Sequence, residues 1–283
     1  RHIVRTIAAT VSILALSFTA ACGSGQSTAS NSTDSDDITQ QTYKPGKLTI
    51  ATGQPAYEPW VMNDKPESGE GYEAAVAYAV ADKLGFKKSD VVWTRTAFDT
   101  AIAPGAKDWD FNIQQFGITD ERKKAVDFSS SYYNDSQSVV VKKDSKFANA
   151  TKVSDLKDAT VGVMVGTLAY DYAKANIKDD IQTFNDDAAL AQALDAGQID
   201  ALVTSTVECV YMVQSEQVKD AKVLGRLPDS EDKSGMGIVL PKDSKLTAAV
   251  TKAVDDLNAD GTIKKLQDKW LAEYTTDLTE LKK

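Results

Sequence analysis

Histidine is almost absent from this 283-residue chain. The single one, His2, falls in an N-terminal segment that stands apart from the rest. The remaining body has no imidazole for general-base catalysis, for a Ser-His-Asp triad or for a zinc site. Cysteine is nearly as scarce, with only Cys22 and Cys209. Cys209 lies within "ALVTSTVECVYM", where a small buried hydrophobe is its simplest role. No GxxxxGK[ST] phosphate loop, no GxGxxG turn and no D-x-[DN]-x-[DN]-G calcium loop occurs. These absences remove most classes of enzyme, and a carboxylate-based enzyme has no positive signal. Clustered positive charge is also lacking. The net charge is −9, or −11 with Arg1 and Arg5 set aside, and the short runs "RKK" (122–124) and "VKK" (141–143) read as solvated surface. A nucleic-acid partner is excluded on that ground, because no basic surface is offered to phosphates.

What is present starts with residues 1–21. Arg1, His2 and Arg5 precede the apolar run Ile7 to Ala21, which has the length of a secretory h-region. It falls short of the ~20 apolar residues that a membrane span requires. The tetrad "TAAC" ending at Cys22 resembles a bacterial lipobox, with Thr19 where Leu is usual. Cys22 is therefore expected to carry lipid, which rules out an intramolecular disulfide with Cys209. Residues 23–42 are Gly, Ser, Thr, Asn, Asp and Gln with almost no apolar content, the composition of a flexible tether. The expected tether, with Cys22, runs through 22–46, and a globular body begins near Lys47.

The body predicts an α/β fold. "KLTIA" (47–51), "VVWTR" (91–95) and "WDFNI" (109–113) read as strands, with helices at 71–85 and 97–103 between them. This βαβαβ order implies a parallel sheet flanked by helices. The order recurs in strands 160–166, 181–184 and 199–203 and helices 168–176 and 186–197. Between the two sets, "SQSVVVKKDS" (136–145) is extended and carries the chain from one half to the other. The Pro- and Gly-rich stretch after residue 222, ending in "GIVL", brings it back. Two amphipathic helices close the chain, on Leu246, Ala249, Val250, Ala253 and Leu257 and on Ile263, Leu266, Trp270 and Tyr274. The expected organisation is one lobe from 47–138 plus 233–283 and a second from 139–232. Two hinge crossings join them, and the ligand cleft lies between.

Six stretches in order, "AYEPW" (56–60), "GYEAAVAYAVADKLGF" (71–86), "ITDERKKAVDFSSSYY" (118–133), "VGVMVGT" (161–167), "AGQIDALV" (196–203) and "DGTIKKLQDKW" (260–270), resemble the bacterial extracellular solute-binding proteins of family 3. These are the polar amino-acid receptors of ABC importers. The resemblance covers roughly Lys47 to Tyr274 and implies a type II periplasmic-binding-protein fold. It also implies an ABC permease as partner, an extracytoplasmic location held by the lipid anchor, and a monomer without cofactor or metal.

The resemblance further implies that Arg122 pairs with the ligand's α-carboxylate, a planar anion suited to a guanidinium fork. Backbone N–H groups near Gly117 and Thr119, and the Gly166-Thr167 turn of the second lobe, add donors. Tyr57 and Phe98 fall where the family sandwiches its ligand between aromatics. Trp60 and Trp93 are expected in the core, and Tyr132 and Tyr133 on the hinge side. Two departures stand out. Ser205 occupies the position of the acid that binds the ligand's amine, leaving Glu208 as one substitute or a ligand without a free amine. Gln54 stands where receptors of cationic amino acids carry Asp, which disfavours Arg and Lys as ligands. Gln114 and Gln115 suggest a pocket read by amide hydrogen bonds. Two other functions share this pattern: a dehydratase of prephenate-like acids, and a module that reports ligand to a membrane kinase.

Overall fold

The computed structural model describes residues 36–275 and 278–283. The expected signal segment, the lipidated Cys22 and the tether up to residue 35 lie outside the described residues. Residues 36–283 pack as one unit built on two five-stranded sheets.

The first sheet comprises β1 (Leu48–Gly53), β2 (Val91–Thr96), β3 (Phe111–Asn112), β4 (Val126–Tyr133) and β10 (Met236–Pro241), in the order β2-β1-β3-β10-β4. The second comprises β5 (Gln137–Lys142), β6 (Val161–Met164), β7 (Ile181–Phe184), β8 (Ala201–Ser205) and β9 (Ala221–Arg226), in the order β7-β6-β8-β5-β9. Four strands of each sheet share a direction. The reversed strand is β10 in one and β5 in the other, and each enters its sheet directly after a crossing. The segment expected only to link the halves is thus itself a strand. Val139, Val140 and Val141 are fully buried between β8 and β9.

Helices cover the sheets. They are α1 (Tyr72–Lys83), α2 (Phe98–Ile102), α3 (Asp120–Lys123), α4 (Leu168–Asn176), α5 (Asp187–Asp195), α6 (Thr206–Gln214), α7 (Thr247–Ala259) and α8 (Thr262–Trp270). Side-chain caps start several of them: Thr119 at α3, Thr167 at α4, Asp186 at α5 and Ser205 at α6, each accepting a backbone N–H of the first turn. Under α1, α7 and α8 lies an aromatic core in which Tyr133 meets Trp60 at 5.6 Å and Tyr72 at 5.7 Å between ring centroids. Trp60 is fully buried there, and Tyr132 joins it at the end of β4. Trp93 is half-buried and donates its indole N–H to the Tyr78 hydroxyl at 3.0 Å. α6 is apolar on opposite faces. Val207 and Val210 pack in the core of the first sheet, Cys209 and Met212 in that of the second.

The two crossings are tied to each other. The Asp232 N–H donates to the Asp135 carbonyl at 2.8 Å, and the Leu227 N–H to the Gln137 carbonyl at 2.8 Å. A third passage exists that was not expected. Residues 233–283 were grouped with the first lobe, but Leu278–Lys283 lie against the second sheet. There the Arg226 N–H donates to the Thr279 carbonyl, and the Leu281 and Lys282 N–H groups donate to the Arg226 and Thr151 carbonyls, all at 2.9 Å. The tail runs so close that a Cβ on Gly225 would lie 2.5 Å from the Thr279 oxygen. Leu281 is buried with Val139, Leu224 and Leu227. Its apolar contacts, not helix amphipathicity, decide where the chain ends. Leu281→Ala is expected to destabilise the protein by about 2–4 kcal/mol. Urea denaturation checks this, and an unchanged midpoint would mean that the tail is not packed.

Candidate functional site

A cavity of about 850 Å³, measured out to its mouth, lies between the two sheets. Its walls come from the ends of strands and the starts of helices, where ligands of open α/β sheets are held. Of the expected site residues, Tyr57, Phe98, Gln115, Gly117, Arg122, Thr167 and Ser205 line it. Gln54, Thr119 and Gly166 stand outside the lining.

Arg122 is the one basic side chain in the wall among the described residues. α3 is a single turn in which the Thr119 hydroxyl accepts the Arg122 N–H at 3.1 Å. Thr119 is therefore spent on holding the turn that carries the arginine. The guanidinium donates from Nη1 to the Gly117 carbonyl at 2.7 Å and from Nη2 to the Gly166 carbonyl at 2.8 Å. Gly117 leads into α3 beside the first sheet and Gly166 precedes α4 beside the second, so this one side chain reaches across the cavity. Two of its five N–H groups are used in this way, which leaves donors for an anion. The guanidinium lies 5.6 Å from the Phe98 ring centre, and Phe98 stacks on Phe116 at 4.5 Å. Burial lowers the arginine's pKa while Asp171 and Asp232 oppose that shift, and the group stays charged.

The walls approach closely. A Cβ on Gly117 would lie 2.5 Å from Cδ1 of Leu168 and 3.0 Å from Oδ2 of Asp232, so glycine lets the walls meet without a shift of those side-chain ends. Thr167 caps α4, and its hydroxyl also donates to the Met164 carbonyl at 2.7 Å. The positive end of this nine-residue helix therefore faces the cavity. Across from it, the Tyr57 hydroxyl accepts the Ala188 N–H at 3.4 Å.

Two sequence expectations change here. Gln115, held at φ 54°, turns its backbone N–H onto Glu73 Oε1 at 2.8 Å and its side-chain amide onto Glu73 Oε2. Its donors serve a buried carboxylate of α1 that also receives the Tyr132 hydroxyl. Gln54 is exposed and outside the lining.

The sequence analysis missed Asp135 and Asp187 and named Glu208 only as a substitute. All three are buried and line the cavity. Asp135 sits in the crossing between β4 and β5, Asp187 in the first turn of α5 and Glu208 in the first turn of α6. Glu208 Oε1 accepts the Trp60 indole N–H at 2.6 Å. An Asp between two buried strands, and a second Asp directly after a capping one, were the signals available. Ser205 lines the cavity uncharged, and its hydroxyl accepts the Glu208 N–H at 3.4 Å.

Burial sets the proton affinity of these acids. It pushes Asp135 and Asp187 up to about 6 and Glu73 up to about 7. Glu208 is driven well above its ordinary value by burial and then by the Asp187 charge. A carboxyl whose folded-state pKa is raised stabilises the fold in its protonated form. That contribution is complete below about pH 4 and lost as the pH rises through about 6 to 7. The melting temperature of the ligand-free protein is therefore expected to fall between about pH 5 and pH 8. Scanning calorimetry checks this, and a flat or rising profile would contradict it.

Comparison with known proteins agrees with this architecture. Residues 48–273 match the family model of bacterial extracellular solute-binding proteins, family 3. The chain is 29% identical to the L-arginine-binding protein of Pseudomonas aeruginosa over 245 residues, 81% of this chain and 88% of that one. It is 30% identical to the L-cystine-binding protein TcyJ of Escherichia coli over 223 residues, 78% of this chain and 81% of the other. Among solved structures, an ancestral arginine-binding protein bound to arginine superposes with a TM-score of 0.68 at 31% identity, over 80% of this chain and 99% of that chain. The two-sheet α/β fold is that of the type II periplasmic binding proteins. With a family match spanning nearly all of the described body, the chain belongs to the bacterial extracellular solute-binding proteins, family 3.

Proposed function

We propose that this protein is the ligand-capturing component of an ABC importer for amino acids, tethered outside the cytoplasm by lipid on Cys22 and acting as a monomer. The single observation that carries this reading is the position of Arg122. It is a half-buried guanidinium in the cavity wall, fixed by carbonyls from both sides, with donors to spare for a planar carboxylate. The first turn of α4 adds helix-dipole attraction to the same anion. Tyr57 and Phe98 supply aromatic faces for the ligand's carbon chain. Arg122, Tyr57, Phe98, Gly117, Thr167 and Ser205 form the ligand site in this reading. The relatives above are themselves amino-acid-binding proteins.

The two sheets with their helices act as lobes that open about the crossings and close on the ligand. Closure is driven by contacts made only when the lobes meet, since a ligand that binds both states equally shifts nothing. Arg122–Gly166, Tyr57–Ala188 and Trp60–Glu208 are protein bonds across the cavity that add to the closed form. The permease then receives the closed form.

Titration calorimetry with arginine, lysine, cystine, glutamine and glutamate tests the assignment. Arg122→Ala is expected to weaken the best ligand by about 100-fold or more, and Arg122→Lys by about 10-fold, because the ammonium keeps charge but loses the fork. Unchanged affinity in a folded Arg122→Ala protein would remove the arginine from the site. For the anchor, Cys22→Ser is expected to move the protein from the membrane fraction to the soluble one. An unaltered distribution would mean that Cys22 is not lipidated.

A further inference from the structure

Glu73 is fully buried in the first turn of α1, and no cation stands among the groups acting on its carboxylate. A buried acid without a cation is costly unless neutral donors surround it. Here the donors come from two residues. The Tyr132 hydroxyl and the Gln115 backbone N–H reach Oε1, the latter at 2.8 Å, and the Gln115 side-chain amide reaches Oε2. The start of a helix favours an acid, but that field does not account for both oxygens closing on one distant residue. Glu73 stands outside the cavity lining, whereas Gln115 stands within it.

Gln115 is held at φ 54°, a conformation that is unfavourable for most residues other than glycine and persists only where the surroundings over-determine it. Glu73 supplies that constraint. The next three residues are fixed from the other side, by the start of β10. The Phe116 carbonyl accepts the Gly237 N–H at 3.0 Å, the Ile118 N–H donates to the Gly235 carbonyl at 2.9 Å, and Gly117 bridges to Met236. Gly117 therefore sits between two clamps, and its carbonyl is the one that accepts from Arg122 Nη1 at 2.7 Å. The same carboxylate reaches the end of β4 through Tyr132, whose carbonyl accepts the Tyr72 hydroxyl.

Resting on the reading of Arg122 as the anchor of a ligand's carboxylate, we infer that Glu73 is a positioning residue for that anchor. Its carboxylate keeps Gln115 left-handed, which sets the direction of the Gly117 carbonyl and with it the seat of the guanidinium. Glu73 acts through the backbone of Gln115 and does not itself meet the ligand. Freed of the carboxylate, Gln115 relaxes to an ordinary φ and the Gly117 carbonyl turns away. Arg122 then loses its bond on the first-sheet side while keeping its charge.

Titration calorimetry of the full chain with L-arginine and L-glutamine tests this, with thermal melting to verify that each variant folds. Glu73→Ala is expected to weaken the tighter probe by about 10-fold or more. Glu73→Gln, which still accepts the Gln115 N–H, is expected to bind it about 5-fold more tightly than Glu73→Ala does. Adding Gln115→Gly to Glu73→Ala recovers about 5-fold of the affinity, because glycine takes a positive φ without a clamp. A merely structural Glu73 would leave the affinity down, since glycine adds no contact in place of the lost carboxylate. Gln115→Ala and Gln115→Gly form a second pair. Both lack the side chain, so a side chain that reads the ligand is lost equally from each. A required left-handed turn instead makes the alanine variant about 5-fold the weaker binder. Equal affinities within that pair, or a folded Glu73→Ala protein that binds as the unsubstituted chain does, overturns the inference. If Glu73→Ala does not fold, the Gln115 pair decides alone. An Arg122→Ala protein of undiminished affinity removes the anchor reading and the inference with it. Loss of binding in Arg122→Ala without loss in Glu73→Ala removes only the inference. Silence from both probes removes both.

Discussion

The cavity depends on one guanidinium shared by carbonyls from two sides. Arg122 is carried on a one-turn helix and bridges Gly117 and Gly166. The surrounding sequence serves that placement. Thr119 holds the turn, Phe98 stacked on Phe116 supplies a surface beneath the cation, and Gly117 lets Leu168 approach. A lysine offers no fork, and a Cβ at 117 would press on the ends of the Leu168 and Asp232 side chains. The arginine is not a freely solvated helix charge, since it is half-buried and bonded to two carbonyls.

Opposite this cation the protein gathers negative charge and keeps it from water. Glu73, Asp135, Asp187 and Glu208 are all buried, and their titration is moved upward mainly by lost hydration. They serve different purposes. Glu73 is saturated by Gln115 and Tyr132 and locks α1 to the loop before α3. The other three face the cavity. The fold is less stable where these acids are ionised.

Much of the fold was legible in the sequence because local chemistry decided it. α4 at 168–176 and β7 at 181–184 match the expected spans, since a Thr cap, apolar spacing and short alternating runs lie within a few residues of each other. β4 and α6 were missed for opposite reasons. "VDFSSSYY" holds three consecutive serines and reads as loop until β10 pairs with it. "TVECVYMVQ" is apolar on both faces, a pattern that burial between two cores explains and helical amphipathicity hides. In the site, Arg122, Tyr57 and Phe98 were found through motifs, whereas Asp135 and Asp187 were not. Their placement depends on a crossing and a helix start converging from 52 positions apart in the chain. The demotion of Gln115 likewise follows from Glu73, 42 residues earlier.

The tail at Leu278–Lys283 has a consequence for the protein's behaviour in concentrated solution. β9 is the outermost strand of its sheet, and such a margin offers unpaired N–H and C=O groups to any other chain able to extend alongside it. Arg226 already has both of its backbone groups engaged by the tail, and Gly225 brings the two backbones together without a side chain between them. The last residues thus act as a selvedge: they finish the sheet where it would otherwise fray into self-association.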